Sequence, residues 1–287
     1  MSSTSHPYHI VVRPNQSWFR LDWRGIVEYR DLLFLLVRRD FMSRYKQTIL
    51  GPSWFIVQPL ITTVVYMVVF NKVIGVSTGG VSPALFYLSG LLAWSYFSNL
   101  ISTTATTFIA NANIFGKVYF PRLVVPFALS MSNAISFGIQ LGTFLVVLGV
   151  NVWTGHFVTT GADVLAAVAV MPLCLLHIAL LALGVGLTLA SLTAKYRDFQ
   201  HLISFVVNIW MYVTPIIYPS SRIPAKLAWM AQINPMAPIV ELIRSVFLHT
   251  APMPTGSYLL SVATTLIIFL TGVLLFQRTA RTFIDII

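Results

Sequence analysis

VLAAVAVMPLCLLHIALLALGVGLTLASLTA, residues Val164 to Ala194, contains no Asp, Glu, Lys or Arg. A transmembrane helix needs about 20 mostly apolar residues, and a charge at mid-bilayer costs at least about 2.5 kcal/mol. The stretch therefore reads as a membrane span. Five further runs share its character: Ile49 to Phe70, Ala84 to Ala110, Leu123 to Val152, Phe199 to Tyr218 and Ser257 to Phe276. The 18 Lys and Arg and the 8 Asp and Glu all lie between or outside these runs. The expectation is an all-α integral membrane protein with six transmembrane helices. Proton- and ion-coupled carriers usually keep ionisable residues inside the membrane to bind the driving ion. Spans without any point to an energy source outside them.

Composition agrees. The 287 residues are 57% hydrophobic and 9% charged, with a mean hydropathy of +0.81, against roughly 25% charged in a soluble domain. The chain divides into an N-terminal segment, 1–48, and one polytopic domain, 49–287. Met1 to Thr48 and Pro219 to Gly256 are the only long stretches outside the six runs, and neither is expected to hold a water-soluble core of enzyme size. Cys174, the single cysteine, lies inside the fourth run, so the chain forms no internal disulfide. Met1 to Asn15 is polar and contains proline, unlike a cleavable signal sequence. The net charge of +10 has a distribution that speaks for topology rather than nucleic acid. With the N-terminus inside, inner segments hold 14 of the Lys and Arg residues and outer ones hold 4. Six spans return the C-terminus to the same side, so both termini are expected in the cytoplasm.

Ahead of the first run, Ile26, Tyr29, Leu33, Val37, Phe41 and Tyr45 recur at steps of three and four, with Arg24, Glu28, Asp31, Arg39 and Lys46 opposite. That is the pattern of an amphipathic helix along the membrane surface. A plain anchor and a docking helix both satisfy it. Asp40 and Arg44 are four apart, where they can pair with one another or face a partner protein. Pro52 suits a first helical turn, whereas Pro59 weakens or kinks the first span. Such a span suits a lining helix, and an ordinary kink satisfied by its neighbours accounts for it equally.

Two connections are unusual. NANIFGKVYFPR, from Asn111 to Arg122, is too short to span and too apolar for a solvated turn. Ile114, Phe115, Val118 and Tyr119 form an apolar edge beside Asn113 and Lys117, as in a short helix across the inner mouth or a membrane-hugging loop. The outer stretch 219–256 carries apolar patches at Leu227 to Ile233 and Pro238 to Leu248, split by Asn234-Pro235. Eleven helical residues reach about 16 Å against a hydrocarbon core of about 30 Å. A re-entrant or surface-lying helix hairpin between spans five and six is the physical solution, as a gate or as a cap. Within it Glu241 and Arg244 are three apart and can form a local pair.

No phosphate-binding loop, kinase set, CxxC, HExxH or embedded acidic pair is present. No two of the six histidines have metal-ligand helical spacing, and no catalytic or metal site or bound cofactor is expected in this chain. His177 lies deep in a span, where a lone histidine is usually a hydrogen-bonded structural residue. The aromatics are placed unusually: Trp94 and Trp210 sit about 15 Å into their spans, away from the headgroup level where Trp collects. Trp94 with Phe97, Trp210 with Tyr218, and Tyr66 with Phe70 each share a helix face. Aromatic faces stack on the C–H faces of sugars, so such a path suits a neutral glycan; helix packing explains each ring singly.

RRDFMSRYKQTILGPSW and QP leading into span one, NIFGKVYFPR, AKYRDF, TPIIYP and NPMAPIVELIR, in that order, resemble the permease subunits of polysaccharide ABC exporters. The likeness covers Asp31 to Ile287 and is nearest to O-antigen exporter permeases, with capsule and teichoic acid exporters as relatives. It implies a homodimer in the bacterial inner membrane with an ATPase beneath each copy, which binds ATP and Mg. The cargo it implies is a glycan on a polyprenyl diphosphate lipid. It implies that Asn111, Asn113, Ile114, Phe115, Lys117 and Tyr119 form a coupling helix against the ATPase. Arg38, Arg39, Arg44 and Lys46 support that interface or meet lipid phosphate. Tyr66, Phe70, Trp94, Phe97, Trp210 and Tyr218 line a path between the copies, and Pro235, Glu241 and Arg244 belong to an outer gate. The readings opposed to it are an ABC permease for lipids or drugs, a channel, and a membrane-embedded acyl- or glycosyltransferase; the last predicts clustered Asp, Glu or His that the chain lacks.

Overall fold

A backbone without water must satisfy its own hydrogen bonds, so each charge-free run folds as helix. The computed structural model describes residues 23–46, 48–118, 120–196, 198–251 and 254–282, which are helical with no strand among them. In chain order the helices are α1 (Trp23–Glu28), α2 (Arg30–Tyr45), α3 (Trp54–Tyr66), α4 (Pro83–Ala105), α5 (Thr107–Ala110), α6 (Ala112–Phe115), α7 (Val124–Trp153), α8 (Gly161–Lys195), α9 (Phe199–Val213), α10 (Ala228–Ile233), α11 (Met236–Leu248) and α12 (Thr255–Thr282). Five segments are long and apolar enough to cross a membrane: Gly51–Val73, which contains α3, and the helices α4, α7, α8 and α12. The chain is a multi-pass helical membrane protein.

The fifth run departs from a full-length span. Its helix, α9, stops at Val213 although the apolar run continues to Tyr218. Pro215 has no N–H to continue the ladder, and the residue before a proline is pushed out of the helical region; Thr214 duly has ψ 137°. Fifteen helical residues reach about 22 Å, short of the hydrocarbon core. The remainder, Thr214 to Ile217, turns back into the bundle and is buried there.

The first span also changes pattern. Pro59 is accommodated inside α3, and the hydrogen bonding shifts to a π-helical turn at Met67–Val73. The surface helix expected from Ile26 to Tyr45 is broken at Tyr29 into α1 and α2. In α2 the face of Leu33, Leu36 and Val37 is buried, yet Phe34 and Leu35 are exposed by 58% and 61%. The helix therefore has apolar groups both toward the bundle and away from it.

α8 is the hub, packed on α4, α12 and α11. Its N-terminus is capped reciprocally by Thr160 and Asp163. Midway, α8 meets α12 backbone to backbone: a Cβ on Gly272 would sit 2.2 Å from the Gly184 carbonyl oxygen, and one on Gly184 would sit 2.7 Å from the Phe269 backbone. Close approach through small residues is how helices associate where lipid and protein are equally apolar. α4 is buried along nearly its whole length, with Leu85, Tyr87, Phe97 and Leu100 inaccessible.

Candidate functional site

At one end of the bundle α4 breaks at Thr106, where φ is −98° and ψ is 6°, and the chain steps through α5 and α6 before α7. The apolar edge read from the sequence is divided by this geometry. Phe115 faces inward, packed 5.9 Å from Phe108 and 5.8 Å from Phe120, with the Arg122 guanidinium 5.7 Å from its ring centre. Phe108 in turn stacks on Phe276 of α12 at 4.5 Å. Ile114 is half-buried and Asn111 is buried, whereas Asn113, Lys117 and Val118 are exposed. These last three form the outward edge of the turn, and Phe115 supports it from inside, its ring already desolvated in this aromatic cluster. Tyr119 lies outside the described residues.

The α2 cations are also divided. Arg39 pairs with Asp40 at 2.9 Å and donates to the Asn111 Oδ1 at 3.2 Å, while Asn111 Nδ2 donates to the Thr107 carbonyl. Arg44 donates to Asn133 Oδ1 of α7 at 2.9 Å, and Asn133 Nδ2 donates to the Leu129 carbonyl. The Asp40–Arg44 pairing allowed by their spacing does not form; Asp40 takes Arg39 instead. Two of the four cations expected to meet phosphate are thus engaged within the chain; Arg39 nonetheless stays exposed, as are Arg38 and Lys46. Asn133→Leu removes the Arg44 acceptor from a site 2% exposed. A lost, partly buried hydrogen bond to a charged group predicts a destabilisation of about 1.5 kcal/mol, read as a lower thermal midpoint in detergent. Thr62→Val, which loses only a bond to the Gln58 carbonyl on its own helix, serves as the control.

The aromatic groups separate likewise. Trp94 and Phe97 are 5% and 0% exposed, and Phe97 meets the edge of Trp210 at 5.0 Å. These three rings join α4 to α9 inside the chain, where α4 is the buried centre of the bundle. Tyr66 and Phe70 remain partly accessible, 5.4 Å apart, with Tyr66 also at 5.9 Å from Tyr87. Tyr218 is half-buried and donates its hydroxyl to the Tyr212 carbonyl at 2.8 Å.

At the other end, α11 is enclosed by α4, α8 and α12. Arg244, 2% exposed, donates through Nη1 to the Pro215 carbonyl at 2.5 Å and through Nη2 to the carbonyls of Ile216 at 2.7 Å and Phe86 at 3.3 Å. Its guanidinium lies 3.7 Å from the centre of the Phe86 ring. The Glu241–Arg244 pair expected from spacing is absent among the described residues: Arg244 turns toward carbonyls that the Thr214-Pro215 break exposes inside the bundle. Glu241 is also buried. Asn234 ties the hairpin together, accepting from Trp210 Nε1 and the Met236 N–H and donating to Thr214 Oγ1 at 2.8 Å. The Pro235 carbonyl accepts from Ser261 of α12. His177 Nε2 is hydrogen-bonded with Thr265 Oγ1 of α12 at 3.0 Å.

Sequence reasoning missed Asn133, Asn234 and Ser261 as organising residues. The available signal was a polar amide or hydroxyl in an apolar setting, which must find a partner when buried. Which partner it finds depends on helices far away in sequence. A cavity of about 480 Å3 lies between the loop at Gly75 to Ser77, the end of α9 at Tyr212 and the hairpin entry at Arg222 to Ala231.

Residues 31–248 match the family described as ABC-2 type transporter. The chain is 29% identical over 219 residues to an O-antigen export system permease protein RfbA of Klebsiella pneumoniae, covering 76% of this chain and 81% of that one. It is 27% identical over 251 residues to the protein of the same name from Myxococcus xanthus, covering 86% and 91%. Against the polysialic acid transport protein KpsM of Escherichia coli it is 22% identical over 214 residues, covering 75% and 79%. The matched region runs from α2 through both unusual connections to the end of α11, and on that ground the chain belongs to the ABC-2 type transporter family.

Proposed function

We propose that this chain is the transmembrane subunit of an ATP-driven exporter that carries an O-antigen-like polysaccharide, linked to polyprenyl diphosphate, across the bacterial inner membrane. The observation that supports this most is the family match over residues 31–248 together with relatives named for O-antigen and capsule export. Two copies and two ATPase subunits form the working unit, and the ATPases bind ATP and Mg. Both termini lie in the cytoplasm. α9 with the turn that follows it is the fifth crossing, a short one, and α10 and α11 form a re-entrant hairpin at the outer face before the sixth.

In this reading the ATPase sits against Asn113, Lys117 and Val118. Phe115 and Asn111 carry that load into α5 and α12, because Phe115 packs on Phe108, which stacks on Phe276, and Asn111 bonds the Thr107 carbonyl. Arg39 and Arg44 couple α2 to the same block through Asn111 and Asn133. Arg38 and Lys46, with the exposed Arg39 beside them, meet the phosphate of the lipid anchor, which suits charged groups held at a membrane surface. Tyr66, Phe70 and Tyr218 line the path, backed by Trp94, Phe97 and Trp210. Pro235, Glu241 and Arg244 belong to the outer closure.

The test is reconstitution of the chain with its ABC ATPase in sealed vesicles. Lipid-linked glycan added on the ATPase side is expected to cross only with ATP, and to stimulate hydrolysis. Stimulation by a drug or a phospholipid with no response to glycan would assign the chain to lipid or drug export instead. Glycan transfer without any ATPase would overturn the reading.

A further inference from the structure

We infer that Arg244 is a positioning residue that makes α11 the fixed arm of the hairpin, so that movement at this end of the bundle is confined to the arm from Pro219 to Ile233. The inference rests on the exporter reading for the source of the movement, and on geometry for its location. α11 is held at both ends. Near its N-terminus Asn234 bonds Trp210, Thr214 and the Met236 N–H, and the Pro235 carbonyl accepts from Ser261. Farther along, the Arg244 guanidinium reaches the Pro215, Ile216 and Phe86 carbonyls and lies on the Phe86 ring. α4 is shaped for it: a Cβ on Gly90 would stand 2.8 Å from Arg244 Nη2 and 3.0 Å from Ile216 Cγ2. A buried guanidinium in this setting resists sliding, since any other position leaves the charge without its three carbonyl acceptors.

The other arm is built oppositely. In and beside α10, Leu227, Trp229 and Ile233 are 47%, 56% and 64% exposed. Beneath the arm lies the 480 Å3 cavity, walled by Val76 and Tyr212 on one side and Arg222 and Met230 on the other. Between the arms, Asn234 is extended, with ψ 108°, and Pro235 follows, a join that separates two helices without a continuous hydrogen-bond ladder. An arm with few buried contacts next to open space moves cheaply, while its neighbour does not.

Accessibility to a membrane-impermeant maleimide tests this in the full complex with the ATPase, in lipid nanodiscs. Cys174→Ser removes the only native thiol, and single cysteines replace Trp229 or Ile233 on α10 and Ile239 or Ile243 on α11, the latter two 0% and 1% exposed. The α10 sites are expected to label, at rates that change at least fivefold when the ATPase is trapped with ATP and vanadate. The α11 sites are expected to stay unlabelled in both states. Arg244→Gln is expected to raise labelling of the α11 sites at least tenfold without nucleotide. Labelling of α11 that changes with trapping, or an Arg244→Gln protein whose α11 stays protected, overturns the inference. Should Arg244→Gln fail to fold, the nucleotide comparison with Arg244 intact decides it alone. Should trapping change no site while Arg244→Gln opens α11, the pin stands and the exporter reading fails.

Discussion

Gly272→Leu is expected to prevent accumulation of folded protein, the largest stability effect of any single substitution considered. The added Cβ would lie 2.2 Å from the Gly184 carbonyl oxygen, an atom that no side-chain rotation can move. α8 and α12 must part by about 1 Å to restore a normal carbon–oxygen contact, and that strips dispersion contacts along the most extensive helix pair in the chain. Overpacking a core typically costs about 1–3 kcal/mol, and a backbone-to-backbone clash belongs at or above the top of that range. Against a total stability of about 5–15 kcal/mol the loss is severe. Gly138→Leu, on α7 where an added Cβ meets nothing within 4 Å, is the control expected to fold. Size-exclusion profiles and thermal midpoints of the two proteins in the same detergent make the comparison. Equal yields and midpoints would show that the α8–α12 contact is looser than described.

The second large effect is functional. The double substitution Lys117→Glu with Val118→Asp is expected to abolish co-purification of the ATPase while leaving the fold intact. Val118 is 55% exposed and Lys117 is exposed, so neither contributes to the core. Exposed substitutions usually change stability by within about 0.5 kcal/mol. An interface position at the centre of a small docking surface carries about 2–4 kcal/mol of binding, and each 1.4 kcal/mol is tenfold in affinity. A loss of at least about 100-fold in ATPase affinity follows, with an unchanged thermal midpoint. Phe115→Asp is a poor substitute, because it buries a carboxylate among Phe108, Phe120 and the Arg122 side chain and unfolds the turn whatever binds there. Lys72→Glu, in the π-helical turn that ends the first span, controls for a general effect of charge. ATPase recovery equal to wild type would remove the turn from the docking surface.

Much of the fold was legible because membrane insertion is a matter of local chemistry. Charge-free runs long enough to cross read as helices from composition alone, and four of them, with the stretch that includes α3, are the five crossing-length segments. Proline chemistry also reads locally, and Asn234-Pro235 does divide the hairpin into two short helices. The fifth run is helical only as far as Val213, a limit that a hydropathy count does not register because it ignores what Pro215 does to the ladder. The candidate site was less legible: NANIFGKVYFPR announced an apolar, non-spanning turn, but one turn of helix has an inside and an outside that only the neighbouring Phe108 and Phe276 define.

By itself, then, the sequence determined a polytopic helical bundle, its two unusual connections and the positions at which polar groups would need partners, since these follow from transfer free energies and from proline, each acting over a few residues. Tertiary structure alone decided the partners. Arg244 takes the carbonyls of Phe86, Pro215 and Ile216 instead of its near neighbour Glu241, and Arg44 takes Asn133 instead of Asp40. The physical reason is desolvation: a cation drawn out of water needs oxygen acceptors at hydrogen-bond distance, and which oxygens lie within reach is set by how distant helices pack and by which carboxylates are already taken, as Asp40 is by Arg39.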